Sequence, residues 1–587
     1  MGMTLITFIL FTILVAIASY KMTGKEDTKT TKGYFLAGGG LTGIIIAGSM
    51  LLTNLSAEQL IGLNGSSYAD DLVQMAWEVT AANAAIMMAC YFLPKYLKGS
   101  FTTLPEFLKD RYDDTTRKMI SILFLVGYIF ITMPSALYSG AIAFSQLFNL
   151  GEIFGIGYVE SITILIVIIG IVGAIYAIFG GLKAVAVSDT INGVGLLIGG
   201  LLVPIVALIF IGKGNFIDGF TTVISTNTEK LNSIGGSHSS TPFNTIFSGM
   251  IFANLSFWCT NQVIIQRAFA AKNLKEGQKG IILTGFMKIL VPVIMCFPGV
   301  LAFHIFGEGA FAKTDMAYPA LVMKVIPTYL HGFFAAVMFG AVLSTFNSFL
   351  NSASTIFCLD LYKPSKFGKN ISDEGLIKIA KKFGVIAATV SIMIAPMLLN
   401  ASDGIFLIVR RFTGVYNIPI ITLVLVGLLT KRVPAIAAKI GVIVYITFYI
   451  LLVFVLKINI NYIHIMGVGF ILAVGTMLVI GKIKPRETDY EITEVKRGMD
   501  MTPWRFIGIA SVVTFYMMVL AYLVLSPIGV AAPVGEQFNS TFKLWFSVTS
   551  VVALVIGYIA HKYNTKKIAE YRSRKDSASK EPELILD

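Results

Sequence analysis

Apolar residues in this chain come in blocks of about twenty, separated by short polar segments that hold most of the charge. A window of about 19 residues places them near 4–20, 39–62, 72–94, 117–148, 158–179, 185–212, 243–271 and 280–305. More follow near 329–361, 379–399, 404–430, 433–456, 460–481, 505–525 and 541–561. Each is long enough for a helix to cross a hydrocarbon layer about 30 Å thick, which predicts fifteen transmembrane helices. The blocks 117–148 and 329–361 need tilt or an extension beyond the bilayer. Block 4–20 has no basic segment before it and no small-residue cleavage site after it, so it reads as a retained membrane helix.

Basic residues test that count, because a missed or invented span would scramble their distribution between loops. They fall on alternate connections: 37 of the 46 Lys and Arg lie on one face of the membrane. The opposite loops hold six, Lys213, Lys230, Lys313, Lys324, Lys457 and Lys543. The basic face is expected in the cytoplasm, which places the amino terminus outside and the carboxyl end inside the cell membrane. The basic, Ser-containing stretch after His561 is expected to be a solvated, disordered tail.

Composition agrees. Of 587 residues, 56% are apolar and 13% charged, which rules out a water-soluble protein. The net charge of +13 belongs to this membrane asymmetry, with the lipid bilayer as partner and no nucleic acid. Cys90, Cys259, Cys296 and Cys358 lie inside apolar blocks, and the five His are scattered without an HxxxH or HExxH pair. No nucleophile-and-base set appears and the longest loop, 213–242, is too small for a catalytic domain, so no enzyme is expected.

A charge at bilayer depth costs at least about 2.5 kcal/mol, so each needs a partner or a purpose. Glu58, Glu78, Asp189, Lys288, Arg410 and Arg411 are such charges. Structural ion pairs would account for some of them. With Asn54, Gln59, Asn254 and Trp258 they read as a polar cavity suited to a hydroxylated solute. Asn54-Leu55-Ser56 and Asn254-Leu255-Ser256 occur five blocks apart, as two inverted five-helix repeats that each begin with a broken helix would have them. In the ninth block, Ala341, Ser344, Thr345, Ser348, Ser352, Ser354 and Thr355 either allow close helix packing or offer oxygens to a hard cation such as Na+.

At these residues the chain resembles the solute:sodium symporter family, and most closely its bacterial sodium/galactose branch. The resemblance rests on GYFLAGGGL (33–41), NLSAEQLIG (54–62), FLPKYL (92–97), LPEFLKDRY (104–112) and GGLKAVAVSDTING (180–193). It continues in FANLSFWCTNQVIIQRAFAAK (252–272), NSASTIF (351–357) and TGVYNIP (413–419). It implies an all-α polytopic protein with a five-plus-five inverted-repeat, LeuT-like core. An extra helix and loop would occupy 1–38, the first repeat 39–212, an extracellular loop 213–242 and the second repeat 243–430. Additional helices would fill 431–562, with a cytoplasmic basic tail over 563–587.

The resemblance also implies site roles. Asn54, Gln59, Glu78, Asn254, Trp258 and Lys288 match sugar-binding positions. Leu63, Trp77 and Phe406 match the outer gate, and Phe257 matches an inner stacking position where the galactose branch has Tyr. Sodium would be held by the carbonyls of Leu52, Leu55 and Ala341 and the hydroxyls of Ser344 and Thr345, with Asp189 near its exit. Three positions depart from the pattern: Arg410 replaces a sugar-contacting Gln, Thr132 an Asn and Ala81 a Ser. Arg410 then either pairs with a pocket carboxylate, Glu58 or Glu78, or recognises an acidic sugar. The fifteenth helix has no counterpart in the fourteen-helix galactose branch. The expected function is sodium-coupled import of a monosaccharide, with Na+ as coupling ion and no organic cofactor. The alternatives are an acidic sugar, inositol or another organic solute, or a transporter-like membrane sensor.

Overall fold

The computed structural model describes residues 6–14, 17, 40–148, 155–400, 404–493 and 499–578; the side chains of 179–190 fall outside that description. Among the described residues every regular element is helical. Among them are α1 (Gly43–Asn54), α2 (Ala57–Ala69), α3 (Met75–Val79), α4 (Tyr158–Ile211), α5 (Phe216–Ser225) and α6 (Met250–Thr260). They continue as α7 (Gln262–Phe269), α8 (Leu274–Leu290), α9 (Phe297–Phe306), α10 (His331–Ile356), α11 (Ile405–Leu429), α12 (Tyr462–Ile483), α13 (Ile507–Val524) and α14 (Ser540–Ala578).

Among the described residues eleven helices are long and apolar enough to cross a membrane, or up to thirteen if each of two bent pairs counts as one span. The other two expected blocks are 243–271, which folds as the short α6 and α7, and 4–20, of which 6–14 and 17 are described as helical. The helical backbone of α4 runs through both expected blocks 158–179 and 185–212. Gly173 lies against Leu343 and Phe346 of α10, whereas Gly195 and Gly199 lie against Val337, Phe333 and Phe334. Residues more than 20 positions apart thus reach one short stretch of α10, so the path of α4 turns back and Tyr158–Ile178 and Ile191–Ile211 make separate spans.

Three breaks shape the interior. Between α1 and α2 the chain bends by 58°. Ser56 N turns to Asn54 O at 2.8 Å, which takes from Leu52 its usual i+4 donor, while Ser56 Oγ accepts from Gln59 N at 3.1 Å and caps α2. The second break corrects the sequence expectation: α6 is continuous through Asn254-Leu255-Ser256, and the chain leaves the helix at Asn261. There Asn261 adopts φ −68°, ψ 123° and its Oδ1 accepts from Val263 N at 3.1 Å and from Tyr128 OH at 2.7 Å. Ser256 does not cap; its Oγ donates to Asn417 O on α11 at 2.6 Å. The third break, unforeseen in the sequence, is a 42° bend after α8, where Pro292 has no N–H to continue the ladder.

The carboxyl end differs from expectation as well. α14 runs to Ala578, well past His561, so the basic stretch is helical as far as it is described. It is fixed by Asn564, whose Nδ2 donates to the carbonyls of Trp504 and Arg505 at 3.1 and 2.8 Å.

Candidate functional site

The ends of α1 and α2 at the first break meet α3, α6, α8 and α11 around a cavity of about 30 Å³. It is lined by Asn54, Gln59, Trp77, Glu78, Asn254, Phe257, Trp258, Lys288 and Arg410, which brings together all eight residues expected at the substrate site and one gate residue. Lys288 Nζ is ion-paired with Glu78 and also donates to Asn54 Oδ1; both charged side chains are at most 2% exposed. The pair cancels its own charge, so neither group needs water. Asn254 Nδ2 donates to Thr80 Oγ1 at 2.8 Å. Hydroxyl, amide, carboxylate and ammonium groups around one small space can give and accept many hydrogen bonds, and aromatic faces supply an apolar wall.

The wall closes on one side through aromatic contacts. Trp77 and Phe406 meet edge to face, with centroids 6.0 Å apart. Phe406 sits so close to Gly62 that a Cβ there would lie 2.6 Å from the Phe406 Cβ, so glycine permits this approach. The Arg410 guanidinium lies 4.6 Å from the Phe406 centroid and 5.4 Å from that of Trp77. Phe257 packs edge to face on Trp258 at 5.6 Å. Leu63, the remaining expected gate residue, is fully buried in the apolar core and does not line the cavity.

A second cavity of about 40 Å³ adjoins the same break and includes Thr53, Ser56, Glu58, Thr132, Thr345 and Arg410 among its lining. Thr132 belongs to a π-helical turn, Tyr128–Thr132, a local widening common at functional sites. Ser344 Oγ and Thr345 Oγ1 are buried without a hydrogen-bond partner. These two hydroxyls lie one turn beyond the buried Ala341, and Thr345 shares the cavity with Thr53 and Asn54 at the end of α1, where the Leu52 carbonyl has lost its donor; unsatisfied oxygens of this kind suit a hard monovalent cation. Leu55 forms the non-helical C-terminal boundary of α1. Asp189 lies among the side chains outside the described residues.

Arg410 makes no direct ion pair with either expected carboxylate, although its charge acts on Glu58. Glu78 is committed to Lys288, and among the described residues no carboxylate forms an ion pair with Arg410. With the Gln59 amide turned to satisfy its neighbours, Arg410 Nη2 donates to Gln59 Oε1 at 3.0 Å, while Arg410 Nε and Glu58 Oε1 remain unpartnered. Sequence reading also missed Asn417, which lines both cavities with a buried, unpartnered Oδ1. An Asn within an apolar block, two positions before Pro419, was the available signal. Arg267 is fully buried, with Nε donating to Ser49 Oγ at 2.7 Å and Nη2 to Ser348 Oγ at 2.8 Å.

The Sodium:solute symporter family profile matches residues 34–444. The chain belongs to the sodium:solute symporter family. It is 41% identical to the uncharacterized symporter YidK of Escherichia coli over 96% of this chain and 97% of that protein. It is 32% identical to the sodium/glucose cotransporter of Vibrio parahaemolyticus over 77% and 86%. Human sodium/myo-inositol cotransporter 2 is 30% identical over 73% of this chain and 66% of its own length. Among solved structures, a Na+-coupled sialic acid symporter superposes with TM-score 0.69 at 22% identity, covering 83% of this chain and 99% of that one. The nucleobase-cation symporter Mhp1 superposes with TM-score 0.52 at 14% identity, over 78% and 96%. The fold is therefore that of the LeuT-type sodium symporters, and this family member is a sodium-coupled membrane transporter, not an enzyme.

Proposed function

We propose that this chain imports a monosaccharide together with Na+ by alternating access, in the cell membrane, with its amino terminus outside and its carboxyl end in the cytoplasm. The observation that carries the sugar reading is the cavity in which the Glu78–Lys288 pair, Asn54, Gln59 and Asn254 converge beside Trp258 and Phe257. The named relatives that transport glucose and inositol support a hydroxylated solute.

In this reading Na+ sits between the break at Leu55 and the Ser344–Thr345 hydroxyls of α10. Its charge holds α1 against α10 and keeps the sugar cavity reachable from outside. Sugar hydroxyls then bond Asn54, Gln59, Glu78, Asn254 and Lys288, the ring lies on Trp258 and Phe257, and Trp77 and Phe406 close over it. Inward movement of one positive charge gains about 2.3 kcal/mol per 100 mV, and the sodium gradient adds to that. Loss of Na+ on the cytoplasmic side loosens the same break and frees the sugar. The first repeat would span 39–212 and the second 243–430.

One observation favours a second reading. Arg410 faces the sugar cavity with an unpartnered Nε and, among the described residues, no carboxylate in a direct ion pair, so its guanidinium suits a uronic or sulfonated sugar. A binding screen on the purified chain, with and without Na+, tests both. The account expects Na+-dependent binding of neutral hexoses or inositol, or else of acidic sugars; binding of none, or binding indifferent to Na+, contradicts it. If an acidic sugar binds, Arg410→Gln reverses the preference toward neutral hexoses, and an unchanged preference rejects the second reading.

A further inference from the structure

An apolar cavity of about 480 Å³ lies apart from the sugar and cation sites, at the end of the bundle that carries the 212–242 loop. Its walls are the last turns of α4 at Leu201 and Ile205, the amphipathic helix α5 at Phe216 and Phe220, and the bend after α8 at Pro292 and Val293. The cavity is half open, and Leu201, Ile205, Phe220 and Val293 of its lining are each 43–45% exposed. Its roof is preformed: Gln537 Nε2 donates to both Ile224 O and Val530 O at 2.8 Å, and Ser233 N donates to Leu525 O at 2.8 Å.

Water does not fill such a space. Apolar cavities of about 150 Å³ already stay dry and take up apolar ligands. An unfilled lining would forfeit dispersion contacts along its length. The bilayer surface is the interface this chain already uses, and the cavity is continuous with it, so the occupant within reach is a hydrocarbon chain.

We propose that this cavity is a binding site for one acyl chain of a bilayer lipid, drawn from the leaflet on the side of the 212–242 loop. A chain lodged there packs behind Met75 and Val79, which flank Trp77 and Glu78, and against Ile289, the residue after Lys288. It thus buttresses the two helices whose charges meet in the sugar cavity. The inference rests on the membrane fold and is independent of which solute is carried.

The test uses the full chain in vesicles of phosphatidylethanolamine and phosphatidylglycerol, with a trace of phosphatidylethanolamine bearing a diazirine midway along one acyl chain. After illumination, labelled peptides are mapped by mass spectrometry. Label is expected to concentrate on 201–208 and 216–224. Leu201→Trp and, separately, Ile205→Trp fill the cavity and reduce that label severalfold, while label on Val551 and Leu554 of α14, which are 60% and 74% exposed, stays constant and reports correct insertion. Label spread evenly over all outward-facing helices, or label at the cavity that neither tryptophan reduces, would overturn the proposal.

Discussion

The Glu78–Lys288 pair is the most exacting arrangement at the residue scale, since each group is fully buried and answers the other. Removing one partner leaves an uncompensated charge, a loss of about 3–5 kcal/mol. Glu78→Gln is therefore expected to lower the melting temperature sharply, whereas Glu78→Gln combined with Lys288→Met recovers most of it without restoring sugar binding. Equal melting of the single and double variants would show that the two charges do not depend on one another. Ser344 and Thr345 present the opposite case. Their hydroxyls have no protein partner to orphan, so Ser344→Ala or Thr345→Ala should insert normally. One lost oxygen contact to a charged ion, about 1.5 kcal/mol, should raise the Na+ concentration for half-maximal uptake about tenfold. Unchanged sodium dependence would move the ion elsewhere.

Helix breaks decide the site at the scale of elements, and they also mark how far the sequence could be read. Thirteen of the fifteen expected spans, counting the two bent pairs, were legible because lipid forces backbone groups to pair within each segment, and hydropathy records that directly. The break at Leu55 was legible too, since Asn-Leu-Ser in an apolar block offers a cap. The same tripeptide at 254–256 reads identically but folds as helix, because Ser256 bonds to α11 and the cap falls to Asn261. That choice depends on a neighbour 161 residues away, which local pattern does not carry. Arg410 was left open between two roles for a similar reason, since whether a carboxylate reaches it is a matter of packing.

These elements can be separated by experiment. Asn261→Ala should cost about 1 kcal/mol of stability through the lost cap, whereas Asn254→Ala should weaken sugar binding and leave the melting temperature nearly unchanged. The reverse pattern would return the break to 254–256. Asp315, in the connection between α9 and α10, accepts from Ile405 N at 3.1 Å at the start of α11. Burial raises its carboxyl from 3.8 to about 6. The folded chain therefore holds a proton that the unfolded chain releases, so Asp315 makes stability fall as pH rises from about 4 to about 6. Asp315→Asn should flatten thermal stability across that interval, and an unaltered pH profile would assign the dependence to another group.

For the whole molecule, the proposed sugar cavity and the proposed cation oxygens both border the first break, with the aromatic contacts beside them, while α13 and α14 pack outside this core. In the proposed reading a hinge shared by ion and solute couples their movements, so that neither is released until the same segment shifts. The most direct measurement is accumulation of a labelled sugar, taken from the binding screen, into vesicles containing the purified chain under an inward Na+ gradient. The account predicts a transient internal concentration above the external one, larger when the interior is negative and absent when K+ replaces Na+. Equilibration without overshoot, or the same accumulation in K+, would contradict it.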